Sequence, residues 1–128
     1  MKLNNVHHIA IIVSNYEKSK HFYTEVLGLK IIKETYRESR KSYRLDLALN
    51  GIYVIELFSF PNYKKRPSFP EALGLRHLAF EVDDILLAQN ELEKHHIHTE
   101  GVRIDELTGK KFLFFFDPDG LPLELYER

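Results

Sequence analysis

The sequence predicts an α+β fold in which one β-α-β-β-β module occurs twice along 128 residues. Three observations carry that expectation. One segment of the chain matches another at a fixed offset, a helical apolar pattern follows each match, and a series of turn-punctuated strand patterns follows each helix.

The match is direct. Val6 to Asn15 lies over Leu75 to Asp84, with His8 on His77, Ala10 on Ala79 and Val13 on Val82 at an offset of 69. Both segments alternate with the period of a strand. His8, Ala10 and Ile12 share one face and Ile9, Ile11 and Val13 the other, while His77, Ala79 and Glu81 oppose Leu78, Phe80 and Val82. The apolar faces need a helix packed on them.

That helix comes next in each copy. Ser14 with Glu17 reads as a capping box, and Phe22, Tyr23, Val26 and Leu27 recur at helical spacing up to Gly28. In the second copy Asp83 or Asp84 caps a helix carrying Ile85, Ala88 and Leu92 that frays near His95. Strands are expected at Lys30 to Thr35, Tyr43 to Leu49 and Tyr53 to Phe60. The second copy offers Thr99 to Ile104, Lys111 to Phe116 and Leu121 to Tyr126, and Asn50-Gly51, Thr108-Gly109 and Asp119-Gly120 mark turns. Between modules 1–60 and 74–128, the segment 61–73 holds Pro61, Pro67 and Pro70 with Lys64, Lys65 and Arg66, the composition of a linker or flexible lid.

Composition narrows the function classes. An apolar share of 44% supports a core, and a net charge of −1 gives no field to gather nucleic acid or anionic lipid. With no Cys, disulfides, thiolate nucleophiles and Cys-based zinc sites are excluded, which leaves any metal to His nitrogen and carboxylate oxygen. Met1 to Val6 has no apolar run of signal-peptide kind, and no stretch nears the roughly 20 apolar residues of a membrane span, so the cytoplasm is the expected location.

Chemistry is concentrated in four residues. The last strand of each copy holds a carboxylate in an apolar run: Glu56 within Tyr53 to Phe58 and Glu124 within Leu121 to Tyr126, at an offset of 68. Burying an ionised carboxylate on a sheet is costly unless a cation meets it. With His8 and His77 also facing inward, the simplest such cation is a divalent metal, and two imidazoles with two carboxylates suit zinc, nickel, cobalt, manganese or iron. Any one of the four taken alone is ordinarily a core or strand-end residue; the repeat of both types is what points to a metal.

These motifs, His8 to Val13, Phe22-Tyr23 through Val26-Leu27-Gly28-Leu29, Val54-Ile55-Glu56-Leu57, Arg76 to Asp84 and Asp117-Pro118-Asp119-Gly120 through Leu125, resemble the vicinal oxygen chelate superfamily in its glyoxalase I-like branch. The resemblance covers essentially the whole chain, so residues 1–128 are expected to form a single glyoxalase-like domain. It implies paired modules forming a cupped mixed sheet around a divalent metal ion, usually in a homodimer, with His8, Glu56, His77 and Glu124 as ligands.

The implied activity is that of a lactoylglutathione lyase-like metalloenzyme, a lyase or isomerase acting through an enediolate on a small molecule with adjacent oxygens, such as a 2-oxoaldehyde hemithioacetal. One metal-bound glutamate is the expected base, Glu124 first and Glu56 as the next candidate. Glu56 favours this branch, since epimerase-like members carry Gln there, and dioxygenases and fosfomycin-modifying enzymes rely on three ligands. The alternatives are a metal-free protein that binds an antibiotic or toxin, and an Fe(II) extradiol-type dioxygenase. Glyoxalases of this kind often carry Arg where this chain has Ile12, which leaves the thiol open.

Other residues carry weaker signals. Arg37, Arg40, Arg44 and Arg76 are cations able to hold an anionic substrate, with solvated surface charge as their ordinary role. His7 is expected on the face opposite His8, and His95, His96 and His98 in an exposed turn. Phe112 to Phe116 reads as a core strand, and Tyr126 as a donor beside Glu124.

Overall fold

The alternation of apolar residues and the turn glycines produce five elements in each half of the chain. In the computed structural model, which describes residues 1–128, the first unit is Met1–Lys64 and the second Lys65–Arg128. The first contains β1 (Ile9–Ile12), α1 (Tyr16–His21), β2 (Lys30–Arg37), β3 (Ser42–Leu49) and β4 (Ile52–Phe58). The second contains β5 (Leu78–Val82), α2 (Ile85–Lys94), β6 (Arg103–Ile104), β7 (Lys111–Phe116) and β8 (Pro122–Glu127). The division falls inside segment 61–73, which forms neither helix nor strand.

Each unit closes its own four-stranded mixed sheet, in the order β1-β4-β3-β2 in one and β5-β8-β7-β6 in the other. In both, the first strand runs parallel to the last and the remaining pairs are antiparallel. This is the α+β, twice-repeated β-α-β-β-β architecture that the sequence predicts. No helix is long and apolar enough to cross a membrane.

The sheet faces divide as the alternation requires. In the first unit Ile11, Val13, Leu45, Leu47, Ile55 and Leu57 are buried, and in the second Leu113, Phe115, Leu123 and Leu125. The opposite faces carry His8, Ala10, Arg44, Asp46 and Glu56 in one unit, and His77, Ala79, Phe112, Phe114 and Glu124 in the other.

Three local features differ from the sequence expectation. The cap of α1 is Asn15 rather than Ser14, because the Asn15 carboxamide accepts from the Lys18 amide at 3.1 Å. Beyond His21 the helix widens into a π-helical turn, Phe22–Val26, before Gly28 ends it at φ 77°. The strand expected at Thr99 to Ile104 shrinks to Arg103–Ile104, with Thr99 left as a lone bridge to Phe115. Gly101 lies in the gap and contributes no side chain to either face.

Helix α2 is capped by Asp84, whose carboxylate accepts from the Leu86 and Leu87 amides at 2.9 and 3.0 Å, while Glu127 accepts from Ile85. Asp84→Ala should therefore cost about 1 kcal/mol in chemical denaturation. Asp83→Ala, which removes no cap, should stay within about 0.5 kcal/mol of the parent; equal losses would show that the cap contributes nothing of its own.

Candidate functional site

In each unit the last strand brings its Glu beside the His that precedes the first strand. Glu56 pairs in register with Ala10 on one side and Asp46 on the other, and Glu124 with Ala79 and Phe114. His8 Nε2 stands 3.5 Å from Glu56 Oε2, and His77 Nε2 stands 2.9 Å from Glu124 Oε2. Asp46 to Glu56 and Phe114 to Glu124 span the same interval, so the one-residue difference between the copies lies upstream of β3 and β7.

The surroundings of the two glutamates differ. Asp46 and Glu56, opposite one another and both 7% exposed, would repel without a cation between them. Arg44 supplies it: Nε donates to Asp46 Oδ1 at 2.9 Å and Nη2 lies 3.0 Å from Glu56 Oε2. The bonds to Asp46 and to Tyr53 hold the guanidinium more firmly protonated than usual. The cation that meets Glu56 within its own unit is thus Arg44.

Tyr53 is the residue that sequence reading missed. Strict alternation would put it on the buried face with Ile55 and Leu57. Between Leu47 and Ala48, however, the pairing partner on β4 jumps from Ile55 to Tyr53, so β4 carries one extra residue. A bulge of this kind turns the following side chain over. The Tyr53 hydroxyl therefore donates to Glu56 and lies 3.1 Å from Asp46 Oδ1. Burial and the bond to Glu56 push its ionisation above the usual tyrosine range. The Asn50-Gly51 turn, with both residues at positive φ, was the only nearby signal, and it fixes the hairpin without revealing the bulge.

His7 also departs from expectation. It precedes β1, so the alternation does not bind it, and its Nδ1 lies 2.8 Å from His8 Nδ1 while its ring packs 5.1 Å from Tyr53. The contact leaves His8 Nε2 as the nitrogen facing Glu56. Tyr126 does not reach Glu124. Its hydroxyl donates to Asp105 at 2.9 Å and bonds Thr108.

Around Glu124 the setting is aromatic, with the Arg103 guanidinium 5.1 Å from the Phe112 centroid and 5.3 Å from that of Phe114. Phe114 meets the His77 ring edge-on at 5.0 Å, and Phe112 and Phe114 share that face while Leu113 and Phe115 are buried on the other. His77 is the single hydrogen-bonding or charged partner of Glu124. Ile12 is 54% exposed on the Glu56 face. His95, His96 and His98 are exposed beyond α2, with His96 at φ 60°.

Imidazole nitrogens and carboxylate oxygens are donors that fit a borderline divalent ion. The structure gathers the four residues as two pairs, one in each unit, and no group of three or more such side chains.

Comparison with known proteins agrees with the fold. The Glyoxalase/Bleomycin resistance protein/Dioxygenase superfamily matches residues 5–125. YwkD of Bacillus subtilis strain 168 is 62% identical over 100% of both chains. The crystal structure of the glyoxalase family protein from Enterococcus faecalis is 48% identical, with a TM-score of 0.92 over 99% of this chain and 100% of that one. The metallothiol transferase FosB of Staphylococcus haemolyticus is 30% identical over 97% of this chain and 84% of its own. With its repeated modules and a family match over nearly its full length, the chain belongs to the Glyoxalase/Bleomycin resistance protein/Dioxygenase superfamily.

Proposed function

We propose that this protein is a divalent-metal enzyme of glyoxalase I type, a lyase or isomerase with His8, Glu56, His77 and Glu124 as metal ligands, acting on a small molecule with two adjacent oxygens. The observation that carries the reading is the repeated register: each Glu sits opposite an Ala of the parallel first strand, within reach of the preceding His. Membership of the superfamily and likeness to a metallothiol transferase support it.

When bound, the ion would supply Lewis acidity to the substrate's two oxygens, making the neighbouring C–H more acidic. Glu124 removes that proton and returns it to the adjacent carbon through an enediolate. Glu56, tied to Arg44 and Tyr53, keeps its orientation through the reaction. Phe112 and Phe114 offer an apolar wall to the substrate. A cytoplasmic homodimer is part of the same proposal.

The test is metal analysis of the protein as isolated, combined with assays on 2-oxoaldehyde hemithioacetals of several thiols. About one metal ion per site, and turnover that a chelator removes and a divalent metal restores, is the expected result. A protein that takes up no metal from supplemented medium would overturn the reading. A second reading is then favoured by one observation: Glu56 already has a cationic partner in Arg44 without an ion. That suits a metal-free binding protein for a small antibiotic or toxin.

A further inference from the structure

Of the seven arginines, five spend their guanidinium on oxygen. Arg44 meets Asp46 and Glu56, Arg66 the Leu75 and Arg76 carbonyls, Arg76 the Ser68 carbonyl, Arg103 Glu100, and Arg128 Glu81 and Asp83. Arg37 and Arg40 have no such partner. Their contacts are aromatic: Arg37 stands 4.9 Å from the Phe58 centroid and 5.9 Å from Phe60, and Arg40 4.7 Å from Phe60. Phe58 and Phe60 are themselves stacked, 9° from parallel.

Two nitrogens of Arg37, Nε and Nη2, are buried without any hydrogen-bond partner. These form one edge of the guanidinium fork, the edge whose spacing matches the two oxygens of a carboxylate or phosphoryl group. A dry N–H pair left without an acceptor is rare in a folded protein, and a ligand is one of its ordinary explanations. The guanidinium contacts of both side chains are with the phenyl rings alone.

The placement ties this edge to the site already described. Phe58 follows Glu56 by two residues on β4 and pairs with Arg44, and Arg37 pairs with Ser42 two residues before Arg44 on β3. Phe58 therefore lies on the Glu56 face, roughly 7 Å along the strand from it.

We infer that Arg37, with Arg40 beside it on the Phe58–Phe60 shelf, is an oxyanion subsite that takes a carboxylate or phosphoryl group of the substrate. Only the word substrate rests on the proposed function; the anion site itself is built from the first unit alone. A substrate of this form has its charged group several bonds from the adjacent oxygens, which a minimal 2-oxoaldehyde adduct of an uncharged thiol lacks.

The experiment is a titration of the full-length protein with inorganic phosphate and, separately, with succinate, followed by backbone amide chemical shifts. The expected result is saturable binding that Arg37→Met weakens about tenfold, the loss of one charge-assisted pair. Arg128→Met, on a different element, should leave the affinity unchanged. Met keeps the stem that covers the rings, and should Arg37→Met fail to fold, Arg40→Met takes its place with a severalfold loss expected. Tighter binding of phosphate or of succinate tells which group the site prefers. No saturable binding by the parent, or equal affinity in the folded variant, overturns the inference. The metal reading fails by metal analysis, a measurement that the anion titration does not touch, so the two failures are distinguishable.

Discussion

Glu124→Gln is expected to lower turnover by about 10²- to 10⁴-fold, the usual contribution of a positioned general base, while metal content stays at the parent level. The two glutamates occupy equivalent strand positions, so the choice between them rests on their neighbours. Glu56 is held from several sides, by Arg44, Tyr53 and His8. A carboxylate with three partners is slow to leave its place. Glu124 has His77 alone among polar groups, with Ala79 and Phe114 flanking it. It is the carboxylate free to move toward a carbon acid and back. Glutamine keeps the shape and a carbonyl oxygen but cannot take a proton. Retained turnover in the variant would sink Glu124 as the base; lost turnover with lost metal would reduce it to a ligand.

Phe115→Ala should destabilise the fold by about 3–5 kcal/mol, as large-to-small changes at fully enclosed aromatics do. That is a large part of the roughly 5–15 kcal/mol available to a domain of this size. Phe115 has no exposure and pairs with the equally buried Leu123. Phe112, three residues earlier in the same aromatic run, lies on the Glu124 face under Arg103 and is only half-buried. Phe112→Ala should cost about 1 kcal/mol or less, in the range of partly exposed positions. Urea titration of both variants decides the matter: equal losses would mean that β7 does not separate a core face from a ligand face.

Much of the architecture was legible because one local pattern occurs twice. The period-2 alternation of His8 to Val13 and Leu78 to Val82 named the faces turned from solvent, buried at Ile11 and Val13 and half-buried at Leu78, Phe80 and Val82, and β7 was bounded at Lys111 and Phe116 by its composition alone. The turn dipeptides marked the hairpins because Gly51, Gly109 and Gly120 take positive φ. What escaped were effects with no periodic signature. An extra residue in β4 moved Tyr53 across the sheet. His7 lay outside the strand whose alternation was used to place it. Asn15 displaced Ser14 because adjacent residues competed for one capping role, a difference of geometry rather than of type. The pairing of Arg44 with both Asp46 and Glu56 follows from which strands are neighbours, and spacing along one strand does not contain that. The Arg37 edge was visible only as one more charge, since the absence of a partner is a property of the fold.

The bulge at Tyr53 bears on how a duplicated chain can specialise. Between Asp46 and Glu56 the first hairpin is as long as its counterpart between Phe114 and Glu124, yet its tighter turn frees residues for one more cross-strand pair and for the bulge inside the strand. Two copies of one ancestral hairpin can thus acquire opposite character, one a polar clamp and the other a phenyl wall, with no change in the distance along the chain from core to ligand. Grafting one hairpin onto the other half would match in length while exchanging a hydroxyl for a phenyl ring beside a carboxylate. Divergence of the halves is written in where the slack is stored as much as in which side chains were replaced.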